Sequence, residues 1–204
     1  MQILILGAGA VGGYIGMRLI EAGTDVAFVA RRDRLKQLSR QGLVVRSPLG
    51  ARATPVVAFE HPAPGLKPDI VVIACKAPAL DGAIAAIKPC VGEETLILPV
   101  LNGIKHIETF HQVFPGNPIL GGIVHGALTL TPEGTIDHLS PFFSLIVGPM
   151  SGAVDLVTQG LIESLANAQV DVRLSADIQQ DLWSKFVFLT SLAGITCLMR
   201  ASIG

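Results

Sequence analysis

Three glycines near the start of the chain have the spacing of a phosphate-binding turn. Gly7, Gly9 and Gly12 form the pattern G-x-G-x-x-G directly after the apolar run 3–6. In such a loop the first glycine permits a sharp turn, the second lets the backbone approach a pyrophosphate, and the third lets a helix pack on the preceding strand. Apolar residues then recur at helical spacing over 10–22. The pattern predicts a strand, a tight loop and a helix that bind a dinucleotide; the alternative is a glycine turn with a structural role only.

An arginine follows the second predicted strand, 25–30. At this place in dinucleotide-binding units an acidic residue accepts a hydrogen bond from the ribose 2′-OH, whereas a basic residue can pair with the 2′-phosphate of NADP. The planar guanidinium of Arg31 suits a phosphate, and Arg32 or Arg34 could assist it. NADP(H) is therefore the expected cofactor. The alternative is a solvated basic turn that opens a short helix, with Asp33 as the N-cap.

Two polar residues stand at the carboxyl ends of later predicted strands. Lys76 follows the predicted strand 69–75, and Asn102 follows the predicted strand 95–101. Ligands of open α/β sheets bind beyond these strand ends, so both residues are expected to face the cofactor crevice. A solvated lysine and a simple Asn-Gly turn are the alternatives.

The last part of the chain is typical of one long apolar helix with a single interior lysine. Residues 178–199 are apolar on nearly all faces, and Lys185 is the only charged residue within 182–199. Burial would lower the pKa of this lysine toward values useful for proton transfer, although a lysine on an apolar helix can also extend to solvent. The uncharged run 186–199 is too short to span a bilayer. We expect that the chain is cut short here or that a second subunit covers the helix, which would form a homodimer through 178–199.

The composition excludes several classes of function. The net charge is -1 and no basic run occurs, so neither nucleic acid nor an anionic membrane is expected as a partner. The start of the chain lacks the features of a signal peptide, which favours a cytoplasmic protein. Cys75, Cys90 and Cys197 lie in apolar segments without C-x-x-C spacing and are predicted to be buried free thiols. The histidines lack metal-ligand spacing, so no metal site is expected.

The order of elements predicts an α/β fold. A hairpin is expected at 42–57, antiparallel strands that extend the sheet at 118–148, and a strand at 170–174. Ser151 is expected to cap a helix that ends near 167, and Ser175 or Asp177 is expected to cap the helix 178–199. We predict a Rossmann-like NADP-binding domain over residues 1–174. The apolar helix in residues 175–204 would lie at the centre of a separate helical domain.

Several short segments resemble one family when they are taken in order and spacing along essentially the whole chain. They are Ile-Leu-Gly-Ala-Gly-Ala-Val-Gly-Gly near the start, Phe-Val-Ala-Arg31, Cys-Lys76, Leu-Asn102-Gly, Gly121-Gly, and Asp181-Leu-Trp-Ser-Lys185-Phe. Together they resemble the ketopantoate reductases, enzymes that reduce 2-dehydropantoate to pantoate with NADPH. The resemblance implies a Rossmann-like domain followed by an all-helical C-terminal domain, which is incomplete here because residues 175–204 would supply only its first helix.

The resemblance also implies roles for individual residues. It implies that Lys185 is catalytic, that Arg31 contacts the 2′-phosphate, and that the remaining cofactor contacts come from the loop and three later residues: Gly7, Ala8, Gly9, Ala10, Val11, Gly12, Lys76, Asn102 and Ala127. Pantoate-forming members carry asparagines one and two turns beyond the lysine, where this chain has Leu189 and Ala193. The family's later glutamate and serine, which contact substrate and cofactor, would lie beyond residue 204.

The leading hypothesis is the NADPH-dependent reduction of a 2-oxo acid to a 2-hydroxy acid. The substrate would be 2-dehydropantoate, as in pantothenate biosynthesis, or a close analogue. Lys185 would stabilise the negative charge that develops on the carbonyl oxygen and supply the proton. One alternative is a non-catalytic NADP-binding module that lacks the substrate half. Another, by fold analogy only, is a dehydrogenase of a sugar acid or polyol phosphate.

Overall fold

The elements of the structure, a computed structural model that describes residues 1–63 and 65–203, alternate between strands and helices. In chain order they are β1 Gln2–Leu6, α1 Ala10–Glu21, β2 Asp25–Val29, α2 Arg32–Gln41, β3 Leu43–Ser47, β4 Gly50–Thr54, β5 Val57–Phe59, β6 Ile70–Ile73, α3 Leu80–Ile87, β7 Leu96–Pro99, α4 Lys105–Val113, β8 Leu120–His125, β9 Leu128–Leu130, β10 Thr135–His138, β11 Ser144–Pro149, α5 Leu156–Asn167, β12 Asp171–Leu174 and α6 Ile178–Met199.

Five parallel strands form the central sheet, in the order β5-β2-β1-β6-β7. The side chains of β6 and β7 are buried throughout, because helices and loops cover both faces of the sheet. Side chains of β1 enter two hydrophobic clusters, with Ile3 and Ile5 on one face and Leu4 and Leu6 on the other. The predicted α/β fold with a Rossmann-like domain is confirmed, and the short edge strand β5 was not anticipated.

Two smaller sheets surround the central one, in the orders β4-β3-β10-β9 and β12-β11-β8. The predicted hairpin is present as β3 and β4. The expectation that the strands of 118–148 extend the main sheet is wrong. Strands β8 and β11 form a separate sheet with β12, whereas β9 and β10 join the hairpin through a parallel pairing of β10 with β3. The reason is packing: fully buried Ile136 of β10 fills the space beside Gly13 of α1.

The helix caps differ in part from the predicted ones. Asp155, and not Ser151, caps α5, because its carboxylate accepts a hydrogen bond from the backbone N–H of Thr158. Arg31 takes the N-cap position of α2, and Asp33 lies in the first turn, where a carboxylate still favours the helix dipole. Of the two candidate caps for α6, Asp177 is the N-cap.

Helix α6 has the predicted bounds but contacts the rest of the structure mainly through its first half. Ile178 and Leu182 are buried, whereas Phe188 is 64% exposed and Leu198 is 78% exposed. By length and composition alone, α6 is long and apolar enough to cross a membrane. Core helices of soluble proteins have the same length and composition. The prediction of buried thiols is confirmed for Cys90 only, because Cys75 is half-buried and Cys197 is exposed on this helix. A domain boundary after residue 174 stays a prediction, and Gly204 lies outside the described residues.

Candidate active site

The glycine loop has the geometry of a phosphate cradle. Gly7 has φ +107°, a backbone angle that residues other than glycine rarely adopt. A Cβ on Gly12 would lie 2.1 Å from the carbonyl oxygen of Gly7. Gly9 differs, because a Cβ there would meet nothing within 4 Å. Gly9 is also the N-cap of α1, and no side chain caps this helix. The first N–H groups of α1 are thus available to a ligand, so the residues present fit a dinucleotide pyrophosphate.

Arg34 joins the glycine loop to the β9–β10 turn through hydrogen bonds. Its Nε donates to the carbonyl oxygen of Ala8 at 2.7 Å, and its Nη1 donates to that of Gly134 at 2.7 Å. The same helix contacts the β9–β10 turn again, since Gln37 Nε2 donates to the carbonyl oxygen of Pro132 at 2.9 Å. The sequence offered Arg34 as a helper toward the cofactor phosphate. In the structure its hydrogen bonds join the loop to the turn instead.

Arg34→Gln is therefore expected to loosen the loop without changing cofactor choice. Loss of charge-assisted hydrogen bonds worth about 1.5–3 kcal/mol should weaken NADPH and NADH by similar factors, about tenfold or more. Titration of both cofactors against the variant would measure this. Arg40→Gln, an exposed arginine on the same helix, is the matched control. Selective loss of NADPH would show that Arg34 contacts the phosphate directly.

Arg31 extends from the carboxyl end of β2 and is exposed. Burial raises the pKa of the Cys75 thiol, and the nearby positive charge of Arg31 partly opposes this shift. Arg31 thus lies close to the end of β6, where exposed Lys76 follows. The neighbouring Arg32 forms an ion pair with Glu60, with its Nε 3.2 Å from the Glu60 carboxylate. Among the described residues, Arg31 has no ion pair, so it is free to meet a phosphate at this edge of the sheet.

A cavity of about 800 Å³ lies where β7, β8 and α6 meet. It brings together three of the predicted site residues, which are Asn102, Ala127 and Lys185. The remaining lining residues are Ile123, Val124, His125, Gly126, Ser140, Phe142, Ile146, Arg173, Asp181, Ser184, Phe188 and Leu189. The glycine loop, Arg31 and Lys76 do not line this cavity; they lie at the carboxyl ends of β1, β2 and β6 of the central sheet.

Lys185 enters the cavity as a half-buried side chain held by one hydrogen bond. Its Nζ donates to the carbonyl oxygen of Val124 at 2.9 Å. Burial lowers the pKa of Lys185 because the surrounding protein disfavours its charged form. The ammonium therefore gives up its proton more easily than a solvated lysine does.

Small residues on the sheet allow α6 to approach closely enough to place this lysine. A Cβ on Gly121 of β8 would lie 2.5 Å from Ile178 Cγ1, and a Cβ on Gly148 of β11 would lie 2.9 Å from Ile178 Cβ. The next residue, Gly122, faces the other way, with the carbonyl oxygen of Pro99 2.5 Å from the position of a Cβ. The Gly121-Gly pair in the sequence thus serves both the docking of α6 and the contact with β7.

Sequence reasoning missed several polar residues of the cavity. His125 ends β8, and burial together with the charges of Lys185 and Arg173 lowers its pKa, which favours the neutral imidazole. Arg173 Nη2 pairs with Asp181 at 3.1 Å, and Ser175 Oγ donates to the same carboxylate at 2.6 Å. The position of His125 at a strand end was an available signal. The Arg173–Asp181 pair required the docking of α6 to be known.

No metal centre accompanies this arrangement in the part of the chain that the structure describes, where no group of three or more metal-ligating side chains occurs. The sequence predicts no metal site, because its histidines lack metal-ligand spacing. For the whole protein this stays a prediction.

Comparisons with known proteins agree on one family. A family model described as ketopantoate reductase PanE/ApbA matches residues 3–152. The chain is 35% identical over 204 residues to the uncharacterized oxidoreductase YkpB of Bacillus subtilis (strain 168), covering 100% of this chain and 67% of that protein. It is 26% identical over 208 residues to a 2-dehydropantoate 2-reductase of Pyrococcus horikoshii, and the match covers 100% of this chain and 66% of that protein.

A crystal structure of 2-dehydropantoate 2-reductase from Porphyromonas gingivalis W83 matches with a TM-score of 0.90 at 25% identity. This match covers 99% of this chain and 73% of that one. The chain thus spans about two thirds of the length of the curated relatives it matches.

Proposed function

The chain belongs to the ketopantoate reductase family, and from this premise we propose that it supplies the cofactor loop and the catalytic lysine for NADPH-dependent reduction of a 2-oxo acid to a 2-hydroxy acid. The substrate is 2-dehydropantoate, which yields pantoate, or a close analogue. The observation that carries the proposal is the half-buried Lys185, whose Nζ is held at 2.9 Å from the Val124 carbonyl oxygen within a cavity that Asn102 and Ala127 also line.

The residues of the cavity divide the chemistry among them. When bound, the reduced nicotinamide supplies a hydride to the carbonyl carbon of the substrate. The Lys185 ammonium stabilises the negative charge on the carbonyl oxygen and donates the proton that completes the hydroxyl group. The Val124 carbonyl oxygen orients the ammonium before reaction, so little reorganisation is needed.

A nicotinamide cofactor is in keeping with the family, and Arg31 supports NADP(H) as the form used. Arg31→Ala should weaken NADPH by about ten- to a hundredfold, because a charge-assisted hydrogen bond to a phosphate is worth about 1.5–3 kcal/mol. NADH, which lacks the 2′-phosphate, should bind unchanged. Fluorescence titration of the two cofactors checks this, with Arg32→Ala as the matched control. Equal losses for both cofactors would contradict the role of Arg31.

The decisive experiment is an NADPH oxidation assay with the full-length protein and a panel of 2-oxo acids. Turnover with any of them supports reduction, whereas NADPH binding with no turnover supports a binding module alone. The half-buried lysine favours the first outcome, because a module that only binds cofactor gains nothing from an ammonium in a cavity. The proposal also includes a cytoplasmic location. The net charge of -1 supports the absence of a nucleic-acid or membrane partner. The exposed apolar residues of α6 support a homodimer through this helix.

A further inference from the structure

His138 is a buried histidine that the proposed reaction does not use. It is the last residue of β10. Its ring packs edge-on against Tyr14, with the ring centroids 4.8 Å apart, and against Phe143, with the centroids 6.1 Å apart. Tyr14 belongs to α1, the helix that begins at the glycine loop. His138 therefore contacts the element that presents the cofactor loop, although its own side chain does not line the cavity of Lys185.

One ring nitrogen of His138 is bonded to the segment that follows β10, and the other is not bonded. Nε2 lies 3.0 Å from the carbonyl oxygen of Phe142 and 3.2 Å from Ser140 Oγ. A carbonyl oxygen can only accept a hydrogen bond, so the network assigns the hydrogen to Nε2. Nδ1 is buried and has no partner among the described residues. An apolar ring would fill the same space without that unfavourable burial, so the group that matters is the Nε2–H.

Ser140 extends these contacts to the turn between β8 and β9. Its Oγ donates to the carbonyl oxygen of Phe142 at 2.6 Å and accepts from the backbone N–H of Ala127 at 2.9 Å. The backbone N–H of Leu139 donates to the carbonyl oxygen of Ala127 at 2.8 Å. Both backbone groups of Ala127 are thus bonded within the protein. What Ala127 offers to the cavity is its methyl group.

The turn 126–127 lies close to the group that orients the lysine. Ala127 follows Val124 by three residues, and the carbonyl oxygen of Val124 accepts the hydrogen bond from Lys185 Nζ. Strand β8 belongs to one small sheet and β9 to the other. The turn itself belongs to neither sheet, so its position depends on the hydrogen bonds from Ala127 to Ser140 and to the residue before it.

We propose that His138 is a positioning residue for the reduction, acting through Ser140 to fix the methyl group of Ala127 in the cavity wall beside Lys185. The inference rests on the proposed function, because the position of this wall matters to a reaction at Lys185. A methyl group makes only weak contacts, whereas a displacement of about 1 Å in the reacting groups can cost about a hundredfold in rate. Loss of the His138 contacts should therefore lower kcat much more than the affinity for NADPH.

The test uses the full-length protein, NADPH and the 2-oxo acid that the wild type reduces fastest. His138→Phe fills the space of the ring but cannot donate, so kcat should fall by about tenfold or more while the Kd for NADPH changes by less than about twofold. His138→Gln, whose amide can donate, should recover most of kcat. Ser140→Ala should cause a similar loss. The double variant should be no slower than the slower single variant, because residues that act as a unit are not additive.

His106→Phe is the matched control, because His106 is also buried and its Nε2 also lacks a partner among the described residues. It lies outside the cavity, so its replacement should leave kcat unchanged. Thermal denaturation reports whether each variant folds, and Ser140→Ala, at a half-buried position, provides the test should His138→Phe unfold. Wild-type kcat in the folded variants, or independent losses that multiply in the double variant, would overturn the inference but leave the proposed function intact. Absence of wild-type turnover with every 2-oxo acid would overturn both.

Discussion

Replacement of Lys185 by methionine is expected to lower kcat for 2-oxo acid reduction by about 10²–10⁴-fold, the usual contribution of a positioned general acid. Methionine keeps the length and apolar stem of lysine but cannot donate to the Val124 carbonyl oxygen or to a substrate oxygen. NADPH binding should be unchanged, because the glycine loop and Arg31 lie at other strand ends. Steady-state kinetics and cofactor titration measure the two effects separately.

The pH profile provides a readout that a merely structural lysine would not change. The ammonium is the acid, so kcat/KM should be high below the pKa of Lys185 and fall as pH rises through it. Burial places that pKa below the ordinary lysine value. The pKa of His125 is lowered from an ordinary value near neutrality, so His125 does not account for a loss of activity on the alkaline side. The alkaline decline should disappear in Lys185→Met, and Lys88→Met, an exposed lysine, should retain it. Full activity in Lys185→Met would contradict the assigned role.

Gly12→Ala is expected to lower the stability of the fold, whereas Gly9→Ala is expected to weaken NADPH binding without changing stability. At Gly12 the new Cβ would lie 2.1 Å from the Gly7 carbonyl oxygen and 2.9 Å from Ala74 Cβ, so α1 must move away from β1. The free energy of unfolding should fall by about 1–3 kcal/mol or more. At Gly9 the Cβ meets nothing and the backbone is extended, so stability should not change.

The Gly9→Ala methyl group would, however, occupy the space in front of the α1 N-terminus. We expect the Kd for NADPH to rise about tenfold or more, since lost contacts of 1.4 kcal/mol correspond to a factor of ten. Denaturant unfolding and cofactor titration of both variants check the contrast. Gly82→Ala in α3 is the control, because its Cβ also meets nothing within 4 Å. Unaltered NADPH binding by Gly9→Ala would mean that the pyrophosphate lies elsewhere.

Local patterns in the sequence predicted much of the fold and part of the candidate site. The strand, loop and helix around Gly7 follow from residue types that are adjacent in the chain, as do the buried strands β6 and β7. The bounds of α6 were predicted for the same reason, because apolar content and a capping aspartate are local properties. The role of Asp155 as a cap was missed, since the preceding segment contains two competing cap residues, Ser151 and Asp155.

What the sequence by itself determined is the set of elements, the polar residues Arg31 and Asn102 that follow strand ends, and the isolated Lys185 inside α6. Only the tertiary structure decided how these parts meet. Gly121 and Gly148 admit α6 against the sheet, and this approach brings Lys185 to within 2.9 Å of the Val124 carbonyl oxygen. The same applies to Arg34 on the loop and to the pairing of β10 with β3. The physical reason is that periodicity and capping act over a few residues, whereas close packing depends on the volumes of side chains that are far apart in the chain.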